Sequence, residues 1–139
     1  RERARCAPPD HTTVVDYLDI HIYQGPRFHS SGTLDLSLYQ KALNLYLYLP
    51  FSSFHTIATK RALVSGELRR YTTHCSSRER FILFRKLFFH RLLRRGYPVA
   101  FLKPLFKKAH YDRRQDYLFP CALARKKCAA TPLVFSTTL

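Results

Sequence analysis

Residues capable of chemistry are few and scattered in this chain. Three carboxylates, Asp16, Asp19 and Asp35, fall in its first alternating stretches. Two-metal sites need carboxylates that converge within a few ångströms. Asp19 and Asp35 could face each other across a hairpin, but nothing in the spacing requires it, and all three read as strand-surface carboxylates. Ser52, Ser53 and His55 lie close together without the G-x-S-x-G turn that presents a nucleophile. His74-Cys75 could serve metal or thiol chemistry; the pair reads instead as the exposed end of a helix. Only four glycines are present, and none forms a phosphate-cradling loop. The four cysteines (Cys6, Cys75, Cys121, Cys128) show neither C-x-x-C spacing nor a zinc-finger His pair. They read as reduced thiols of an intracellular protein, nuclear or organellar. No catalytic or metal site is expected in this segment.

The chemistry these residues do support is electrostatic. The 139-residue chain carries a formal charge of +15. Between Lys60 and Arg114 there are sixteen Lys and Arg against three acids, whereas residues 1–59 hold five of each sign. A neutral front thus precedes a strongly basic body. Cations interleaved with aromatics suit a polyanion: Lys and Arg meet phosphates without reading sequence, and rings can stack on bases. Nucleic acid is therefore favoured over a merely solvated basic face. A membrane surface is the competing partner, because FILFRKLFFHRLLRRG is a basic amphipathic segment. Its helix-end signals fit a folded bundle better, and no run of 18 apolar residues offers a membrane span.

The elements that must position this charge can be read from periodicity. Residues 1–13 read as a loose segment. In TVVDYLDIHIYQ, Leu18, Ile20 and Ile22 alternate with Asp19, His21 and Tyr23; in TLDLSLY, Leu34, Leu36 and Leu38 alternate with Asp35 and Ser37. Two alternating runs around GPRFHSSG predict a β-hairpin over 14–46, with a leucine face that must cover something else. From residue 47 to 118 the pattern turns helical. One helix is expected from about Thr56, with Ile57, Val64, Leu68 and Tyr71 on one face and Gly66 either breaking it or allowing close packing. Ser76-Ser77-Arg78-Glu79 has the spacing of a capping box for a second helix, which Gly96 should close. Phe81, Phe88 and Leu92, flanked by Phe84 and Phe89, form its apolar side. Pro98 opens a third helix that Pro104 should kink or shorten, with Phe101, Leu105 and Phe106 as core. Residues 119–139 read as a tail with a basic cluster (Arg125, Lys126, Lys127) and a strand-like run from Leu133 to Thr138. The expected fold class is α+β, mainly α: an N-terminal β-hairpin followed by a basic three-helix, helix-turn-helix-like body. The chain has no Met, and both ends read as cut from something longer.

Several of these stretches, taken in order, resemble the region after the catalytic palm motifs of reverse transcriptases, above all the Penelope-like group and related eukaryotic retroelement polymerases. The matching positions are Tyr17-Leu18-Asp19; Tyr39, Lys41, Asn44, Tyr46 and Leu47; Ser53 and His55; Arg69 and Arg70; Cys75-Ser76; and Arg95-Gly96-Tyr97-Pro98. The resemblance spans roughly residues 14–139, and its order and spacing carry it rather than any single motif. Ala42 and Thr56 stand where the family often has Pro.

The resemblance implies that the hairpin is the end of the palm and the helices are the thumb, or a helix-turn-helix-like module in its place. It implies a grip on template–primer phosphates and a parent polymerase that uses Mg2+ at a Tyr-x-Asp-Asp hairpin. No YxDD occurs here. The segment alone is then non-catalytic, with no cofactor of its own. Its partners would be RNA, DNA or an RNA–DNA duplex and the remainder of the palm, with no membrane. Lys60, Arg61, Arg69, Arg70, Arg78 and Arg80 are the expected phosphate contacts, with Lys41, Asn44 and His55 near the primer side. The alternative function is a reverse-transcriptase relic recruited as a structural RNA-binding protein of a ribonucleoprotein, such as an organellar ribosome.

Overall fold

The computed structural model describes residues 14–119. The loose N-terminal segment, the 125–127 basic cluster, the strand-like run at 133–138, and Cys6, Cys121 and Cys128 lie outside the described residues.

The architecture is α+β and mainly α: a three-stranded antiparallel sheet followed by a bundle of helices. The first alternating run is not one strand. It forms β1 (Val14–Tyr17) and β2 (Ile20–Tyr23), paired directly through Tyr17 and Ile20. The two-residue turn between them puts Leu18 at φ 54°, with only the first turn residue at positive φ, as in type II′ hairpins. Glycine is the usual residue there, so Leu18-Asp19 gave no warning of a turn. The predicted pairing of the two alternating runs does form, between β2 and β3 (Asp35–Leu38), with Ile20 opposite Leu38 and Tyr23 opposite Asp35. The connecting loop contains a single helical turn, α1 (Phe28–Ser31).

Burial in β3 differs from the leucine-face expectation. Leu38 enters the main core, but Asp35 and Ser37 are buried as well, while Leu34 is exposed. The cause is Ser76, at the turn between the next two helices. Its backbone N–H donates to the Leu36 carbonyl at 2.9 Å, and its hydroxyl both accepts from Leu36 N and donates to Asp35 Oδ1, each at 2.8 Å. The free edge of β3 is thereby covered by a helix turn. Ser76 therefore does not act as the first half of a capping box. Ser77 occupies the N-cap of the helix, without a side-chain capping bond.

The bundle is built on α2 (Ile57–His74), which touches β3, α3 (Arg78–Arg94), α4 (Val99–Lys108) and α5 (Arg114–Leu118). Thr56 caps α2 by accepting from Thr59 N at 3.3 Å, an oxygen a Pro there would lack. Val64, Leu68 and Tyr71 are buried as the heptad-like spacing predicts, while Ile57 remains exposed. Gly66 neither breaks the helix nor permits a close approach: it lies on the open side with nothing near it. Cys75 is not at an exposed end but is fully buried as a thiol beneath the sheet.

In α3, Phe81, Phe84, Phe88 and Leu92 are buried. Phe88 meets Tyr48, Tyr71 and Phe106 at ring-centroid distances of 4.9, 5.4 and 5.9 Å. Gly96 at φ 81° ends α3, with Tyr97 N bonded to Leu92 O and Gly96 N to Leu93 O, the double closure of a Schellman motif. Pro98 is the N-cap of α4, and the helix continues unbroken through Pro104. Both Pro104 and Ala100, whose carbonyl loses its helical partner, are exposed, so water can take the missing bond. Leu102, not among the expected core residues, is fully buried, whereas Phe101 and Leu105 are only partly so.

Candidate nucleic-acid interface

Among the described basic residues two groups stand out. The first points its charge inward, at backbone carbonyls or, for Arg91, at a side-chain amide and a ring. Lys60 is 4% exposed, and its ammonium donates to Phe51 O at 2.6 Å and Ser53 O at 2.8 Å. Arg85 donates to Phe106 O at 2.6 Å, and Arg95 Nε to Tyr48 O at 2.6 Å. Arg91 donates to Gln40 Oε1 at 3.0 Å, and its guanidinium lies 3.8 Å from the Tyr46 ring centroid. These groups pin the irregular 39–56 loop and the end of α4 to the bundle. Lys60 is therefore withdrawn from the expected phosphate contacts: a loop without regular structure exposes carbonyls, and this lysine satisfies two of them.

The second population points outward. On α4, Lys103, Lys107 and Lys108 share one exposed side with Val99, Ala100 and Pro104, while Leu102 and Phe106 face the core. On α3, Lys86, His90 and Arg94 are exposed along one strip. Lys86, His90 and Arg94 form the basic strip expected opposite the apolar side of this helix, and Lys103, Lys107 and Lys108 are the charges expected on the third, although none was among the expected phosphate contacts. The i, i+4 spacing of Lys103 and Lys107, opposite buried Leu102 and Phe106, was the available signal.

The remaining expected contacts are spread over the surface. Arg61 is exposed, its guanidinium 5.9 Å from the Phe101 ring centroid. Arg69 is exposed beside Tyr117 at 5.2 Å. Arg78 pairs with Asp112 at 3.3 Å on an open surface, where such a pair is easily exchanged for a phosphate. Arg80 is half-buried near Tyr23, whose hydroxyl feels its charge. His55 is exposed in the loop before α2, next to Phe54, which is fully exposed. Lys41, Asn44 and Arg70 are brought together around one cleft of about 310 Å³ between the 39–48 loop and α2. Arg70 is held there by Asp19 at 3.0 Å and Glu67 at 3.3 Å.

The three N-terminal carboxylates do not converge. Asp16 pairs with His21, Asp19 with Arg70, and Asp35 with Arg27. Burial acts to raise the Asp35 carboxyl, but hydrogen bonds from Arg27 and Ser76 and the charge of Arg27 hold it below the usual carboxylate range. Asp35 is thus not a strand-surface carboxylate. Among the described residues no group of three His, Cys, Asp or Glu is placed to hold a metal ion. His74 is half-buried against Thr73 (2.9 Å), and burial lowers its pKa. Among the described residues no helix is long and apolar enough to cross a membrane.

Residues 47–107 match the family model described as the animal helix-turn-helix domain. The match takes in α2, α3, the Gly96 turn and α4, the elements that carry the outward cations. No curated protein and no solved structure matches the chain. The sheet followed by a helix-turn-helix bundle is the fold, and nucleic acid is the class of partner to which that bundle and its charge point.

Proposed function

We propose that this chain is the end of the palm and the thumb of a reverse transcriptase, and that it grips template–primer duplex through phosphates without catalysing any step itself. The observation that carries the reading is the outward basic face of α3 and α4 within a helix-turn-helix bundle. The ordered resemblance of roughly residues 14–139 to retroelement polymerases supports the polymerase assignment. The grip uses Lys103, Lys107, Lys108, Lys86 and Arg94 together with Arg61, Arg69 and Arg78. The remainder of the palm is the natural cover for Leu43, Leu45 and Leu47, which are exposed at 94%, 78% and 67%.

The test is duplex binding as a function of salt. Each phosphate contact contributes roughly 0.9 to the slope of log affinity against log salt. Replacing Lys103 and Lys107 by Gln should reduce that slope by about two and weaken RNA–DNA and DNA duplexes alike. A salt-independent affinity would sink the grip. The polymerase assignment is tested separately: a coding sequence upstream of Arg1 without a Tyr-x-Asp-Asp would count against it.

A further inference from the structure

Among the described residues one cleft is polar without being basic. The cleft between the 39–48 loop and α2 holds two cations, Lys41 and Arg70, against two carboxylates, Asp19 and Glu67. Arg70 is already bound by both acids. A phosphate gains less in this balanced site than on the open lysine face of α4.

The walls suit a different ligand. Tyr39, Tyr46 and Tyr48 line the cleft beside the amides of Gln40 and Asn44. Each amide has its oxygen engaged within the protein: Gln40 Oε1 accepts from Arg91 at 3.0 Å, and Asn44 Oδ1 accepts from Tyr46 N at 2.9 Å. Their NH2 groups remain as donors, and the carboxylates of Asp19 and Glu67 supply acceptors. Tyr46 adopts φ 51°, a conformation rare outside glycine, and its ring is fixed on the Arg91 guanidinium. A volume of about 310 Å³ is at the small end of ligand cavities. A flat, uncharged ring with donors and acceptors on its edge answers this combination of aromatic wall, amide donors and carboxylate acceptors.

We propose that the cleft receives a single unpaired nucleobase of the nucleic acid gripped by the helices. The inference rests on the nucleic-acid reading above and adds a site to it. Carboxylates accept but do not donate, and the N3–H of uracil or thymine lies between two carbonyl oxygens that repel a carboxylate, so the cleft prefers bases with an exocyclic amino group (adenine, cytosine, guanine).

The experiment compares the full chain on a blunt hairpin duplex and on the same duplex with one unpaired terminal adenine or uracil, read by fluorescence anisotropy. Adenine should tighten binding about 10-fold over the blunt form, and uracil less. Tyr46→Ala should bring the adenine-to-blunt ratio close to one. Should that variant fail to fold, Glu67→Gln keeps the shape and should narrow the adenine–uracil difference. A second arm titrates adenosine, which carries no phosphate, and follows the tyrosine resonances of the cleft by NMR. Equal affinity for blunt and overhanging duplex, with adenosine silent, overturns the nucleobase site and leaves the phosphate grip standing. Failure to bind any duplex, with adenosine still shifting those tyrosines, overturns the grip and leaves the site.

Discussion

Lys60 carries a positive charge to a depth where an unpaired charge would be costly, and two loop carbonyls compensate it. Replacing it with Met leaves both carbonyls without their donor. Hydrogen bonds to a charged group are worth about 1.5–3 kcal/mol, so Lys60→Met should lower stability by about 2 kcal/mol in urea unfolding. The salt slope of duplex binding should not move, because this lysine faces no phosphate; a slope reduced by one would return it to the interface. Asp35 is the acidic counterpart. Its carboxyl is held below its ordinary value, so it favours the folded state fully above about pH 4 and loses that contribution as pH falls through the folded value. The stability gap between the wild type and Asp35→Asn should stay constant from neutral pH to about 5 and close below about 4. A gap still fully open near pH 3 would contradict the pairing with Arg27 and Ser76. Neither role was legible in the sequence. Residue type set both side chains on the surface, and tertiary partners far along the chain (Ser76 for Asp35) moved them inward.

Helix limits were far more legible than strand limits. Thr56 and Gly96 mark the start of α2 and the end of α3 in structure as in sequence, because an N-cap oxygen and a left-handed residue act locally. The β1–β2 turn was invisible because Leu18 takes a glycine conformation, and the capping box was misleading because Ser76 bonds to β3 instead. Of the site, the basic helical body was legible, but the division between carbonyl-binding and outward cations was not, since both kinds have the same composition. Two glycines separate local from tertiary effects. Gly66 is exposed in mid-helix with open space around it, so Gly66→Ala should stabilise by about 0.5–1 kcal/mol. Gly96 sits at φ 81°, so the same substitution there should cost about 1–2 kcal/mol despite the space available. Thermal unfolding of the two variants checks the opposite signs. Equal shifts would mean that α3 does not close through a left-handed residue in solution.

On the scale of the whole molecule, charge works in two directions. A formal +15 on 139 residues repels itself, and that repulsion opposes the compact state. Part of the charge is anchored: Lys60, Arg85, Arg91 and Arg95 are bonded to groups of the protein and hold loops in place. Lys103, Lys107 and Lys108, by contrast, lie on an exposed helix face and contribute repulsion until a polyanion arrives. Salt should therefore act oppositely on folding and on binding. The screening length falls from about 10 Å at 0.1 M to about 3 Å at 1 M, so added salt should raise the unfolding temperature while it weakens duplex binding. Replacing Lys103, Lys107 and Lys108 together by Gln should raise the unfolding temperature at low salt, flatten its salt dependence and lower duplex affinity. Arg85→Gln should do the reverse on the first count, losing stability through the freed Phe106 carbonyl while leaving the salt slope of binding intact. A triple variant that is less stable than the wild type at low salt would show that the α4 lysines are structural, and the phosphate grip would then have to be sought on α3 and the first turns of α2.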